Sequence, residues 1–131
     1  MARTEKIFHK RKLVAIKIKS MPVGSVPVTP PEGAIQVLTL KHKKGASVAP
    51  HTHRAHKRVT HALQECLVVI SGLLRVSLYD GEGKVLKRFS VASGETCIIL
   101  SGIHGVEYLR NSEVIEIKNG PFIDDKKMLK T

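Results

Sequence analysis

Residues 65–83 read ECLVVISGLLRVSLYDGEG. Two short runs rich in Val, Leu and Ile, Glu65 to Ile70 and Leu74 to Tyr79, carry no helical spacing of apolar residues, so each is predicted as a strand. The tetrad Asp80-Gly81-Glu82-Gly83 lies between two candidate strands and has the Asp-Gly chemistry of a hairpin turn. Alternation along the first run places Glu65, Leu67 and Val69 on one face. A carboxylate among apolar neighbours needs a partner, a proton or a metal ion.

The same composition recurs on either side of this stretch. Leu13 to Lys19, Ile35 to His42, Glu95 to Leu100, Val106 to Leu109 and Val114 to Lys118 are short and β-branched, and Ser93-Gly94 and Ser101-Gly102 punctuate the later ones. Residues 21–33, MPVGSVPVTPPEG, hold four prolines, which disfavour a helix and exclude a central strand, leaving a loop or an edge segment. No window shows helical periodicity between caps, a last turn around Asp124 to Lys130 excepted. Short strands in series with glycine-bearing turns predict an all-β, antiparallel barrel or jelly roll.

A chain of 131 residues with 42% apolar residues fits one domain with its own core. We divide it into an N-terminal strand and Pro-rich wrapping segment (1–34), a barrel (35–122) and a tail (123–131). No apolar stretch approaches the ~20 residues that cross a bilayer, and residues 1–20 lack a signal core, so a cytoplasmic protein without membrane contact is expected. Cys66 and Cys97 lie inside apolar runs and read as free, buried thiols.

The formal net charge is +11, from 22 Lys and Arg against 11 Asp and Glu. Such a surface attracts phosphorylated molecules, nucleic acid or anionic surfaces. No helix-turn-helix pattern, zinc-finger spacing or run of stacking aromatics accompanies it, which leaves nucleic acid the weaker reading. A nucleophile elbow, a phosphate-cradling loop and a dinucleotide fingerprint are also lacking.

The residues with metal chemistry are His51 and His53, Glu65 and His104. Two histidines spaced by two project from one face of an extended chain and suit joint coordination of one ion. Gly45, His51, His53, Glu65 and Gly72 resemble the first signature of the cupin superfamily, in which a Gly precedes His-x-His and a Glu precedes a second Gly. Gly94 through Leu100-Ser101-Gly102 to His104 resembles the second, with Leu100 where that signature has Pro. Eleven residues separate His53 from Glu65, more than the signature has. His61 lies in that longer spacer and is an alternative to His53. Residues 102–107 and 116–122 are similar to small, single-domain bacterial cupins of uncharacterised function, some tied to sugar-nucleotide or surface-polysaccharide pathways.

The resemblance implies a cupin-type double-stranded β-helix, a jelly-roll-like barrel that dimerises and holds one divalent metal (Fe, Mn, Zn or Ni) on His51, His53, Glu65 and His104. Such a metal keeps open positions for a small polar ligand, sugar-like or an organic acid, and supports isomerisation or epimerisation; an Fe-dependent dioxygenase and a non-catalytic binding module are the alternatives. Gln36, Arg75, Tyr79, Glu116 and Lys118 are candidate substrate contacts, and no residue is assigned as general acid or base.

Overall fold

The computed structural model describes residues 3–129. Ten strands form: β1 (Thr4–His9), β2 (Lys12–Ile18), β3 (Gly24–Pro27), β4 (Leu38–Lys41), β5 (Glu65–Ser71), β6 (Leu73–Tyr79), β7 (Val85–Ala92), β8 (Thr96–Ile99), β9 (Ile103–Tyr108) and β10 (Glu113–Lys118). They make a five-stranded sheet ordered β1-β2-β8-β5-β10, a three-stranded sheet β7-β6-β9 and a two-stranded ribbon β3-β4. Every pairing is antiparallel, and no sheet closes into a barrel. Among the described residues there is no helix, and the turn expected around Asp124 is irregular chain through Leu129; Lys130 lies outside the described residues.

The large sheet is apolar on both faces, which is why its central strands read as unbroken runs. On one face Ala15, Leu67, Val69, Cys97 and Ile99 meet Leu74, Val76, Leu78 and Val91 of the three-stranded sheet. On the other, Ile16, Ile18, Cys66, Ile98 and Leu100 are covered by Ile35, with Val28 and Val37 packed alongside. Full burial of a side chain such as Ile98 contributes about 1.5–3 kcal/mol. Cys66 and Cys97 point to opposite faces and stay free, as expected.

β5 and β6 are separated by a single residue, yet they lie in different sheets. Gly72 makes the crossing with φ +100°, where a side chain is strained. A Cβ there would lie 2.1 Å from Ser112 Oγ, and that hydroxyl accepts the Leu73 N–H at 3.1 Å. β6 and β7 form the hairpin foreseen around Asp80, whose Oδ1 accepts the N–H groups of Glu82 and Lys84, both at 2.9 Å. These bonds hold the Asp80 carboxyl below its ordinary range.

A bulge in β2 prepares the candidate site. Ile7 pairs with Ala15 and Phe8 with Leu13, which leaves Val14 as the extra residue. Its carbonyl accepts the N–H groups of Leu100 (2.9 Å) and Ser101 (3.3 Å), so β8 ends there and the chain turns through Gly102 into β9.

One expected strand shortens. Only Leu38–Lys41 of the predicted 35–42 strand is a strand; the residues before it are irregular and cap the large sheet. The expected N-terminal strand is a pair of strands, β1 and β2, in the large sheet, with β2 between β1 and β8. The Pro-rich segment contains β3, an edge strand, where a proline is tolerated. No helix among the described residues is long and apolar enough to cross a membrane.

Candidate metal and ligand site

Glu65 opens β5 on the face that carries Leu67 and Val69 into the core between the sheets. His104 lies opposite inward-facing Leu78 in the β6–β9 pairing, and directly paired residues project to the same side. The two side chains meet where the sandwich opens: His104 Nε2 is 3.3 Å from Glu65 Oε2, with the side chains 27% and 15% exposed. His104 Nδ1 donates to the Gly102 carbonyl at 3.2 Å. In the neutral ring that leaves Nε2 only a lone pair, facing a carboxylate that is also an acceptor. A positive charge completes such a pair, either a second ring proton or a metal ion.

His51 and His53 lie elsewhere, on an arm of residues 42–64 that has no regular element and is exposed through residue 63. Their rings are 5.1 Å apart and nearly perpendicular, so the shared face read from their spacing is realised. His51 Nδ1 donates to the Ala49 carbonyl at 2.9 Å, the same bond two residues back that His104 makes. Its Nε2 is free of that bond in the same way. The four expected ligands thus form two pairs, and among the described residues no group of three His, Cys, Asp or Glu gathers at metal-holding distance. His61 joins neither pair; it lines a groove between residues 58–63 and 118–125.

The arm is acid-free. From Gly33 to Gln64 the chain has no Asp or Glu, while Lys41, Lys43, Lys44, Arg54, Lys57 and Arg58 and five of the seven histidines fall within it. The ion pairs among the described residues involve other cations: Lys17 with Glu95, Lys19 and Lys87 with Glu5, Arg75 with Glu107, and Lys118 with Glu116.

The candidate substrate contacts separate as well. Gln36 is committed to structure, its Nε2 donating to the carbonyls of Pro30, Pro31 and Gly33. Arg75 pairs with Glu107 on the outer face of the three-stranded sheet, where Tyr79 lies beside Gly105. Glu116 and Lys118 alternate onto the inner side of β10, and Lys118 stands opposite Glu65 in the register. Lys118 is therefore the contact residue nearest the Glu65–His104 pair along the sheet.

Two residues escaped the sequence reading. Gln64 Oε1 accepts the Ile35 N–H at 2.8 Å and its Nε2 donates to the Leu100 carbonyl at 3.3 Å. Its backbone N–H donates to Asn119 Oδ1 at 2.8 Å, and Asn119 Nδ2 donates to the Ala62 carbonyl at 3.1 Å. Together they pin the arm's end beside Glu65. A polar amide directly before the apolar β5 run was the one available signal for Gln64; Asn119 had none.

In comparison with known proteins, a family model described as a domain of unknown function (DUF6016) fits residues 29–91, slightly under half the chain. That span includes the arm and Glu65 and stops short of His104. No curated protein matches, and no solved structure matches.

Proposed function

We propose that this is a small cupin-type protein that binds one divalent metal ion and, through it, a small polar, oxygen-rich molecule. The observation that carries the reading is the Glu65–His104 contact, in which an imidazole nitrogen and a carboxylate oxygen from different sheets face each other across 3.3 Å. Two ligands bound side by side to one ion at ~2.1 Å stand roughly 3 Å apart, so the donor set fits. Glu65 and His104 would hold the ion from the sheets, and His51 and His53 would complete its ligands from the arm. The Gly102 and Ala49 carbonyls fix the ring tautomers that present Nε2, as outer partners of metal-bound histidines do. The bound metal would supply Lewis-acid polarisation of a substrate oxygen, the chemistry that isomerisation or epimerisation uses. The antiparallel two-layer arrangement, with Glu65 beginning a strand and His104 following a glycine turn, supports the cupin likeness.

The test is metal content of protein purified without an affinity tag, for the parent, Glu65→Gln, His104→Ala and the double variant His51→Ala/His53→Ala. One ion per chain in the parent and loss in all three variants is expected. Retention in Glu65→Gln and His104→Ala, with loss in the double variant alone, would mean that the arm binds by itself and would overturn the joint site.

A further inference from the structure

The groove between residues 58–63 and 118–125 has a volume of about 450 Å³. That volume lies within the ~300–1,000 Å³ of small-molecule sites. Its walls come from parts of the chain remote in sequence, held together by the bonds of Asn119 to Gln64 and Ala62. These bonds fix the last residues of the arm, so the groove is present without a ligand, while the arm just before residue 58 lacks such ties among the described residues. Val59, Leu63 and Phe122 supply apolar wall, and Phe122 is 85% exposed. Arg58, His61 and Lys118 also line it, with Asp125 the one acid in the lining and Glu116 3.8 Å from the Lys118 ammonium.

We propose that this groove binds a small organic anion, a phosphate monoester or a carboxylate attached to an apolar or aromatic body. The cations select the charged end, because the arm carrying Arg58 holds no acid to neutralise it. The wall around Phe122 receives the body, covering apolar surface that otherwise faces water. Lys118 is opposite Glu65 in the β10–β5 register, so the groove lies beside the strand that begins with Glu65, although neither Glu65 nor His104 lines it, and its ligand would be the substrate class brought to that site. The inference deepens the metal reading, but it is measured without metal, so that either can fail alone.

Titration calorimetry on chelator-treated protein uses phenyl phosphate, inorganic phosphate, benzoate and benzyl alcohol as probes. Phenyl phosphate is expected to saturate a single site and to bind more than about tenfold tighter than inorganic phosphate or benzyl alcohol, which each lack one half of the recognition. Benzoate binding equally well assigns any small anion; weaker benzoate binding assigns phosphate. Arg58→Ala and Lys118→Ala should each weaken phenyl phosphate about tenfold, as loss of a charge-assisted hydrogen bond does. Phe122→Ala should weaken phenyl phosphate and leave inorganic phosphate unchanged, and Arg54→Ala, outside the groove lining, should change neither. Absence of saturable phenyl phosphate binding overturns the proposal. Equal losses from Arg54→Ala and Arg58→Ala overturn it too, because diffuse charge would then be the cause.

Discussion

The β2-β8-β5 centre of the large sheet and the arm of residues 42–64 are opposites in how their positions are determined. In the sheet, Ala15, Ile16, Cys97 and Ile98 have no exposed surface, and side chains above and below fix each strand. In the arm almost every side chain faces water, and the tether lies at the ends: Ser25 Oγ with His42 Nε2 at 2.9 Å, and Gln64 with Asn119. Burial makes a strand costly to displace, whereas a solvated, irregular segment moves at little cost. Half of the candidate metal ligands thus sit on a rigid frame, and the other half ride on chain that can be repositioned.

The sharpest way to break this contrast is to truncate one side chain in each region. Ile98→Ala should destabilise by about 2–5 kcal/mol in denaturant unfolding. Val48→Ala, at a position 80% exposed, should stay within about 0.5 kcal/mol. Comparable losses would mean that the arm is packed after all. The next effect is at the junction: Gln64→Ala leaves the Ile35 N–H and the Leu100 carbonyl without these partners and should cost about 1–3 kcal/mol, with faster amide exchange in residues 58–63. Unchanged exchange there would show that Gln64 does not anchor the arm.

The smallest effect concerns the sheet alone. Burial pushes the Cys97 thiol up to about 12 from an ordinary 9.0. The unfolded chain therefore releases this proton first, so the stability is intact below pH 9 and declines as pH rises from there towards 12. Between pH 9 and 10 the loss should approach roughly 1 kcal/mol, and a Cys97→Ala variant should show a shallower alkaline slope. Identical slopes would mean that the thiol is not held in this way.

What was legible in the sequence follows the same division. β5 and β8 were readable because doubly buried strands are continuous apolar runs, β6 because Leu74, Val76 and Leu78 alternate with polar residues, and the Asp80 turn because turn residues mark strand ends. β1 was missed because Ile7 is its one buried residue, and β7, delimited by no such run, because most of Val85–Ala92 is exposed. The local pairing of His51 with His53 could be read from a spacing of two. Their separation from Glu65 and His104 could not, since it depends on how eleven intervening residues run over the surface. The fate of Gln36 was equally hidden, because three backbone carbonyls that it binds become its neighbours only when the prolines fold back.

The one-residue corner at Gly72 also constrains how the chain can change over generations. Any side chain there meets Ser112, and removing the Ser112 hydroxyl to make room forfeits its bond to Leu73 while leaving the positive φ unrelieved. No single step away from glycine is neutral, and the obvious compensating step carries its own penalty. Residue 72 is thus a point where mutational drift should stall, whereas an exposed arm position such as Val48 carries no such penalty.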